Sequence, residues 1–384
     1  MSSQQPTFQH ALSKLIAIPS VSSTLPGLDM SNLPVINELA AWLEAMGFQC
    51  EIQPLPRAPH KANLIATLGS GPGGLVLAGH TDTVPYDDSL WESSPFALEE
   101  RDGRFYGLGV CDMKGFFALV MEAVRGYLNT PLKAPLIILA TADEESSMNG
   151  ARALAELGRP KARYALVGEP TGMRPVHMHK GIMMERIQIL GQSGHSSNPA
   201  LGRNAMETAH QVITDLMQFR TDLAERYQNP GFTIPTPTLN LGCIHGGDNP
   251  NRICGQCQLD FDIRMLPGMD SEQLRQQIHQ RLKPIAEADQ VEISLEAITP
   301  AIEAFAGFEN SELVAACEQL TGHQAESVAF ATEAPFFSRL GMDTVVLGPG
   351  DIDQAHQPDE YLSQHRIEPM IDILQSLIRQ YCLS

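Results

Sequence analysis

Three short apolar runs in this chain end alike. "GLVLAG" runs into His80 and Asp82, "APLIILATAD" into Glu144 and Glu145, and a third run into "VGEP" with Glu169. Apolar runs of this length read as buried strands, and "GFFALVMEAVRGYL" after the first reads as a helix. Strands alternating with helices predict an α/β fold, a mixed sheet with helices on both faces. Ligands of such sheets collect beyond the carboxyl ends of the strands, so all three acidic segments can reach one rim. His80 and Asp82, at alternate positions of an extended segment, put both side chains on one side.

The pattern changes after Lys180. "GIMMERIQILGQ" alternates as a strand, "GRNAMETAHQVITDLMQF" is helical, and "TPTLNLGCIHGG" and "QCQLDFDIRML" are strands. "SEQLRQQIHQRLKPI" is helical again and "VEISLEAIT" is a strand. The order β-α-β-β-α-β is that of a ferredoxin-like unit. It reads as an insertion, because the α/β pattern resumes with "SELVAACEQLTG", "TVVLGPG" and "RIEPMIDILQSLIRQY". The expected division is a catalytic domain of residues 1–181 and 300–384, and an inserted domain of residues 182–299.

Composition narrows the partners. The 384 residues carry 26 Lys and Arg against 45 Asp and Glu, a net charge of −19. That balance argues against nucleic acid and anionic membranes. No run approaches the ~20 apolar residues that cross a bilayer. "MSSQQPTFQHALSKLIAIPSV" lacks the basic start and apolar stretch of a secretory leader. The seven cysteines are scattered, and only Cys254 and Cys257 have C-x-x-C spacing. Without a second pair they read as packing residues, and reduced thiols favour the cytoplasm.

Six polar residues stand out: His80, Asp112, Glu144, Glu145, Glu169 and His356. Singly, each has an ordinary explanation: a strand-end histidine, a helix N-cap, a solvated acidic pair, a turn residue, a loop histidine. Together they form an oxygen and nitrogen donor set suited to zinc, cobalt or manganese. One carboxylate between two metals, with one His and one carboxylate on each, makes a paired site with ions ~3.5–4 Å apart. That count leaves one glutamate of the pair Glu144–Glu145 spare, as a water-activating base would be.

The motifs "GHTDTVP", "GVCDMKG", "ADEESS", "GEPT" and "AHQPDE" resemble, together and along the whole chain, the M20 family of dinuclear zinc amidohydrolases and peptidases. The resemblance implies two divalent cations, zinc or else cobalt. It gives His80 and Glu169 to one metal, Glu145 and His356 to the other, and Asp112 to both as the bridge. Asp82 is then expected to hydrogen-bond His80 and fix its tautomer, and Glu144 to be the general base. The resemblance further implies a homodimer through the inserted domain, which acts as a dimerisation and lid domain. There His195 is expected to stabilise the oxyanion across the subunit boundary. Arg264 and Asn251 are expected to contact a substrate carboxylate, Arg264 as a bidentate fork.

The stretches "DMKGFFA" and "ATEAPFF" are similar to the branch of the family that converts N2-acetyl-L-ornithine to L-ornithine and acetate in arginine synthesis. The expected substrate is thus a small N-acyl amino acid, with Glu333 available to a substrate ammonium. Succinyl-diaminopimelate desuccinylase, a general aminoacylase or dipeptidase, and a non-catalytic metal-binding scaffold are the alternatives. Cys111 departs from the small residue expected before Asp112, and strand alternation is expected to turn it away.

Overall fold

The three apolar runs lie side by side. In the computed structural model, which describes residues 5–383, Leu136–Thr141, Leu75–His80, Tyr164–Val167 and Asp343–Val346 are neighbouring parallel strands in that order. Every residue in them is buried, which explains why they read as continuous apolar runs rather than alternating ones. Ala58–Leu68 and then Gln49–Leu55 extend the sheet antiparallel on one side. Parallel and antiparallel pairings together make it a mixed sheet.

Helices Phe8–Ala17, Lys114–Arg125 and Ile367–Ile378 share one apolar core with these strands. Asn149–Leu157 packs with Ala334–Arg339 apart from that core. A small antiparallel sheet of Glu99–Arg101, Arg104–Tyr106 and Tyr361–Ser363 completes this unit.

The chain divides into two compact units, Met1–His177 with Gly307–Glu326 and Thr332–Ser384, and Met178–Ala306 with Ser327–Ala331. The second takes in 178–306 where the sequence suggested 182–299. It also takes in 327–331, which the sequence reading left with the catalytic domain. The N–H of Lys180 donates to the carbonyl of Val328 at 3.2 Å, which ties that short segment in. No composition signal marks such a bond. The ends of the expected ranges, residues 1–4 and 384, and the start of the N-terminal stretch lie outside the described residues.

The inserted unit is a four-stranded antiparallel sheet in the order Thr238–Gly246, Gln256–Met265, Gly181–Leu190, Glu292–Ala297. Buried and part-exposed residues alternate along Gly181–Leu190 and Gln256–Met265, the pattern of a sheet with one face covered. Helices Ala205–Arg226 and Ser271–Asp289 share its core. Each starts on a capping side chain: Asn204 accepts from Met206 N–H at 3.1 Å, and Asp270 accepts from Gln273 N–H at 2.8 Å. Among the described residues no helix is long and apolar enough to cross a membrane.

Candidate metal centre

The carboxyl ends of three adjacent parallel strands supply the centre. Leu75–His80 ends on His80 itself, Thr141 pairs with His80 and leads into Glu144 and Glu145, and Val167 leads into Glu169. Asp143 (φ 62°) turns the chain sharply after its strand, and His356 (φ 59°) has the same left-handed backbone in its loop. Asp112 is not a helix cap. The helix Lys114–Arg125 is capped at Met113 without a side-chain bond, which leaves the Asp112 carboxylate for other work.

Asp112 stands between the two histidines. Its Oδ1 is 3.0 Å from His80 Nε2 and its Oδ2 is 3.4 Å from His356 Nε2. Glu169 Oε2 is 3.8 Å from His80 Nε2, and Glu145 Oε2 is 3.0 Å from His356 Nε2. Donor atoms of His80, Glu144 and Glu169 fall within 4.8 Å of one another, as do those of His80, Asp112 and Glu145. All six residues singled out in the sequence therefore meet in one place.

Their electrostatics call for cations. Burial and then Glu169 push the Glu144 carboxyl well above its ordinary range, and burial pushes Glu169 up likewise. Loss of solvation and then Asp112 raise Glu145. Burial opposes ionisation of Asp112 too, but hydrogen bonds from His356 and His80 bring it below its usual value. Asp112 and then Glu145 raise the His356 imidazole to about 10. Crowded acids of this kind stay ionised together only when positive charge is shared among them. Glu169 Oε1 is buried with no hydrogen-bond partner. An orphaned carboxylate oxygen beside two imidazoles is a donor set that fits a divalent cation.

Two expectations about supporting residues need correction, those for Asp82 and Cys111. His80 Nδ1 lies 2.9 Å from the backbone carbonyl of Asp82, whereas the Asp82 carboxylate is 3.7 Å away. The carbonyl therefore sets the tautomer. The carboxylate instead accepts the N–H groups of Glu144 at 3.3 Å and Glu145 at 3.1 Å, holding the acidic turn in place. Cys111 is not on a strand, so alternation does not orient it: it lies in a turn, and its thiol donates to the Asp351 carbonyl at 3.4 Å. Burial raises that thiol well above its ordinary value and keeps it protonated. Glu333 leaves Oε1 buried without a hydrogen-bond partner and acts on Glu144 and Glu169. It is fully buried, accepts the Thr141 hydroxyl at 2.8 Å, and burial pushes its carboxyl up to about 7.

His195, Asn251 and Arg264 belong to the inserted unit. His195 and Asn251 are on adjoining segments there: Ser196 N–H donates to the Asn251 carbonyl at 3.1 Å, and His195 bridges Arg252. His195 Nδ1 accepts from the N–H and hydroxyl of Ser197 at 3.2 and 2.8 Å. Arg264 Nε donates to Asp262 at 2.9 Å.

Sequence reasoning missed two buried groups. Lys61 donates to Asp29 and Asp143 beneath the acidic turn. Glu360 accepts main-chain N–H groups of the turn that carries Asp112. Glu360 stood in "AHQPDE", and a charged residue inside a motif was the available signal.

Two histidines and four carboxylates, four of the six at the carboxyl ends of parallel strands and Asp112 and His356 on a turn and a loop beside them, define a metal-dependent amidohydrolase with a paired-metal site. Residues 76–380 match Peptidase family M20/M25/M40, and the chain belongs to that family. It is 48% identical over 384 residues to an acetylornithine deacetylase of Proteus mirabilis (strain HI4320), covering 100% of this chain and 99% of that one. Acetylornithine deacetylase of Klebsiella pneumoniae (strain 342) is also 48% identical, over 382 residues and 100% of both chains. An M20 family metallo-carboxypeptidase from Sulfolobus solfataricus shares the fold, with a TM-score of 0.75 at 18% identity over 97% of this chain and 99% of that one.

Proposed function

We propose that this chain hydrolyses N2-acetyl-L-ornithine to L-ornithine and acetate. The observation that carries this reading is full-length 48% identity to acetylornithine deacetylases, joined to the convergence of His80, Asp112, Glu144, Glu145, Glu169 and His356. We assign His80 and Glu169 to one cation, Glu145 and His356 to the other, and Asp112 to both. The oxygen and nitrogen donors suit zinc, with cobalt next.

Divalent cations in such a site supply Lewis acidity to the amide carbonyl and acidify water. Glu144, with its carboxylate short of solvation beside Glu169, is suited to take a proton from the attacking water. It then delivers that proton to the leaving amine nitrogen. Asp82 holds the backbone of Glu144 and Glu145 so that base and ligand keep their places. Because His195 Nδ1 accepts from Ser197, its Nε2 carries the hydrogen and is the donor for the oxyanion. Arg264 keeps its two Nη groups for the substrate carboxylate, with Asn251 beside it. Glu333 we move from substrate contact to the floor of the site, under Thr141.

The strand order of the inserted unit supports a ferredoxin-like plait. We assign it the dimerisation and lid role, and the remaining segments the metals. The test is kcat/KM of zinc-loaded protein on N2-acetyl-ornithine and N-succinyl-diaminopimelate side by side, with a chelated control. Preference for the acetyl substrate, lost on chelation, is the expected result. Preference for the succinyl substrate moves the chain to desuccinylation. Turnover of neither leaves an aminoacylase or dipeptidase.

A further inference from the structure

Glu360 is 1% exposed, and its carboxylate is spent on main-chain N–H groups. Its Oε1 accepts the main-chain N–H groups of Cys111 at 2.7 Å and Asp112 at 2.9 Å. Its Oε2 accepts the N–H of Gly109 at 3.0 Å, and its carbonyl accepts that of Gly107 at 3.1 Å. Four amides of one turn thus converge on one residue about 250 positions later in the chain.

We propose that Glu360 is the positioning residue of the metal centre: by binding the amides of the 109–112 turn it fixes the Asp112 carboxylate as the bridge. This rests on the assignment of Asp112 to both cations. Residues 107–113 form no helix or strand, and 107–112 are buried, so their N–H groups have no ladder to join. Each buried N–H left unpaired costs ~1–3 kcal/mol, so the turn needs an acceptor. A carboxylate accepts several N–H groups at once and more strongly than a carbonyl.

The turn is built to fit that acceptor. Gly109 has φ 83°, and a Cβ there would lie 2.7 Å from Lys114 Cε and 2.8 Å from Thr83 Cγ2. Only glycine presents its N–H to Glu360 in that space. Lys114 is fully buried and donates to the Ile18 carbonyl at 3.0 Å.

Position in the chain adds a second link. Glu360 follows His356 by four residues, and His356 Nε2 is 3.4 Å from Asp112 Oδ2. One short segment therefore supplies a candidate ligand of the second cation and the clamp on the bridge. Loosening the clamp should loosen what the two cations share, more than what each holds alone.

The test is calorimetric titration of zinc into metal-free wild type, Glu360→Gln and Glu360→Asp, with the cobalt absorption spectrum and thermal midpoint of each. Glu360→Gln keeps one acceptor oxygen and the shape, and Glu360→Asp keeps the charge but retracts it. The first ion should bind Glu360→Gln within ~3-fold of wild type and the second ~10–100-fold more weakly. The cobalt spectrum at the second equivalent should change, and kcat should fall with little change in KM. Glu360→Asp should show the same order with partial recovery, and it decides the matter if Glu360→Gln does not fold. Wild-type affinity for both ions, or equal weakening of both in step with the thermal midpoint, overturns the positioning role. A wild type that takes up fewer than two ions overturns the bridge itself.

Discussion

His80 Nδ1 faces the carbonyl oxygen of Asp82 at 2.9 Å and not its carboxylate, which stands at 3.7 Å. The imidazole is oriented by main chain, which no side-chain substitution removes. The carboxylate acts one step away, on the N–H groups of Glu144 and Glu145. Asp82→Ala should therefore lower kcat by ~10–100-fold, a range typical of partners of metal ligands. Nitrogen NMR of His80 should show the same tautomer in variant and wild type. A changed tautomer would return the orienting role to the carboxylate.

Lys61 carries the acidic turn from below. Its side chain is 4% exposed and pairs with Asp29 and Asp143. Removing one partner of a buried pair leaves unpaired charge behind. Lys61→Met should cost about 3 kcal/mol in urea unfolding, at the lower end for such pairs because Asp29 is partly solvated. A loss under about 1 kcal/mol would mark the pair as no stronger than a surface contact.

Metal-free protein should lose stability as pH rises. Glu333 folds with its carboxyl pushed up by burial to about 7 against an ordinary 4.5, and burial raises Glu144 and Glu169 well above their ordinary value as well. His356 is raised to about 10 against 6.5 by Asp112 and Glu145. All four bind protons more tightly folded than unfolded, so their contribution is present at low pH and lost between about 4.5 and 10. Asp112, shifted down, contributes equally across that window. In chelator the thermal midpoint should fall by at least ~2 °C between pH 5 and 9, and zinc should remove the slope. A midpoint that rises with pH would contradict these directions.

Glu333→Gln separates two roles for that residue. Under Thr141, the amide oxygen still accepts the hydroxyl while the buried charge disappears. Stability above pH 7 should be equal or higher, and kcat/KM on N2-acetyl-ornithine should stay within ~3-fold. A ~100-fold rise in KM, the order of a lost charged contact, would restore Glu333 as the partner of the substrate ammonium.

Much of the fold was legible because the central strands are buried on both faces and the inserted ones on one. The first kind reads as unbroken apolar runs such as Leu136–Thr141, the second as the alternation along Gly181–Leu190. Four of the six clustered residues were legible because strand ends announce themselves, an apolar run stopping on an acid or a histidine, whereas Asp112 and His356 were legible through the motifs "GVCDMKG" and "AHQPDE". What stayed hidden depends on non-local geometry. Residues 327–331 join the inserted unit through main-chain hydrogen bonding that includes Lys180 to Val328. Cys111 reads as strand next to Val110, yet the pair lies in a turn held by Glu360. Whether Asp82 uses its carbonyl or its carboxylate is a matter of one backbone torsion, which no residue type encodes.

The most direct measurement is zinc content per chain and turnover of N2-acetyl-ornithine for wild type and Glu144→Ala, side by side. Two ions in both proteins are expected, with turnover lower by ~10²–10⁴-fold in the variant, as for removal of a general base. One ion or none in the wild type, or wild-type turnover without Glu144, would contradict a paired-metal centre served by that base.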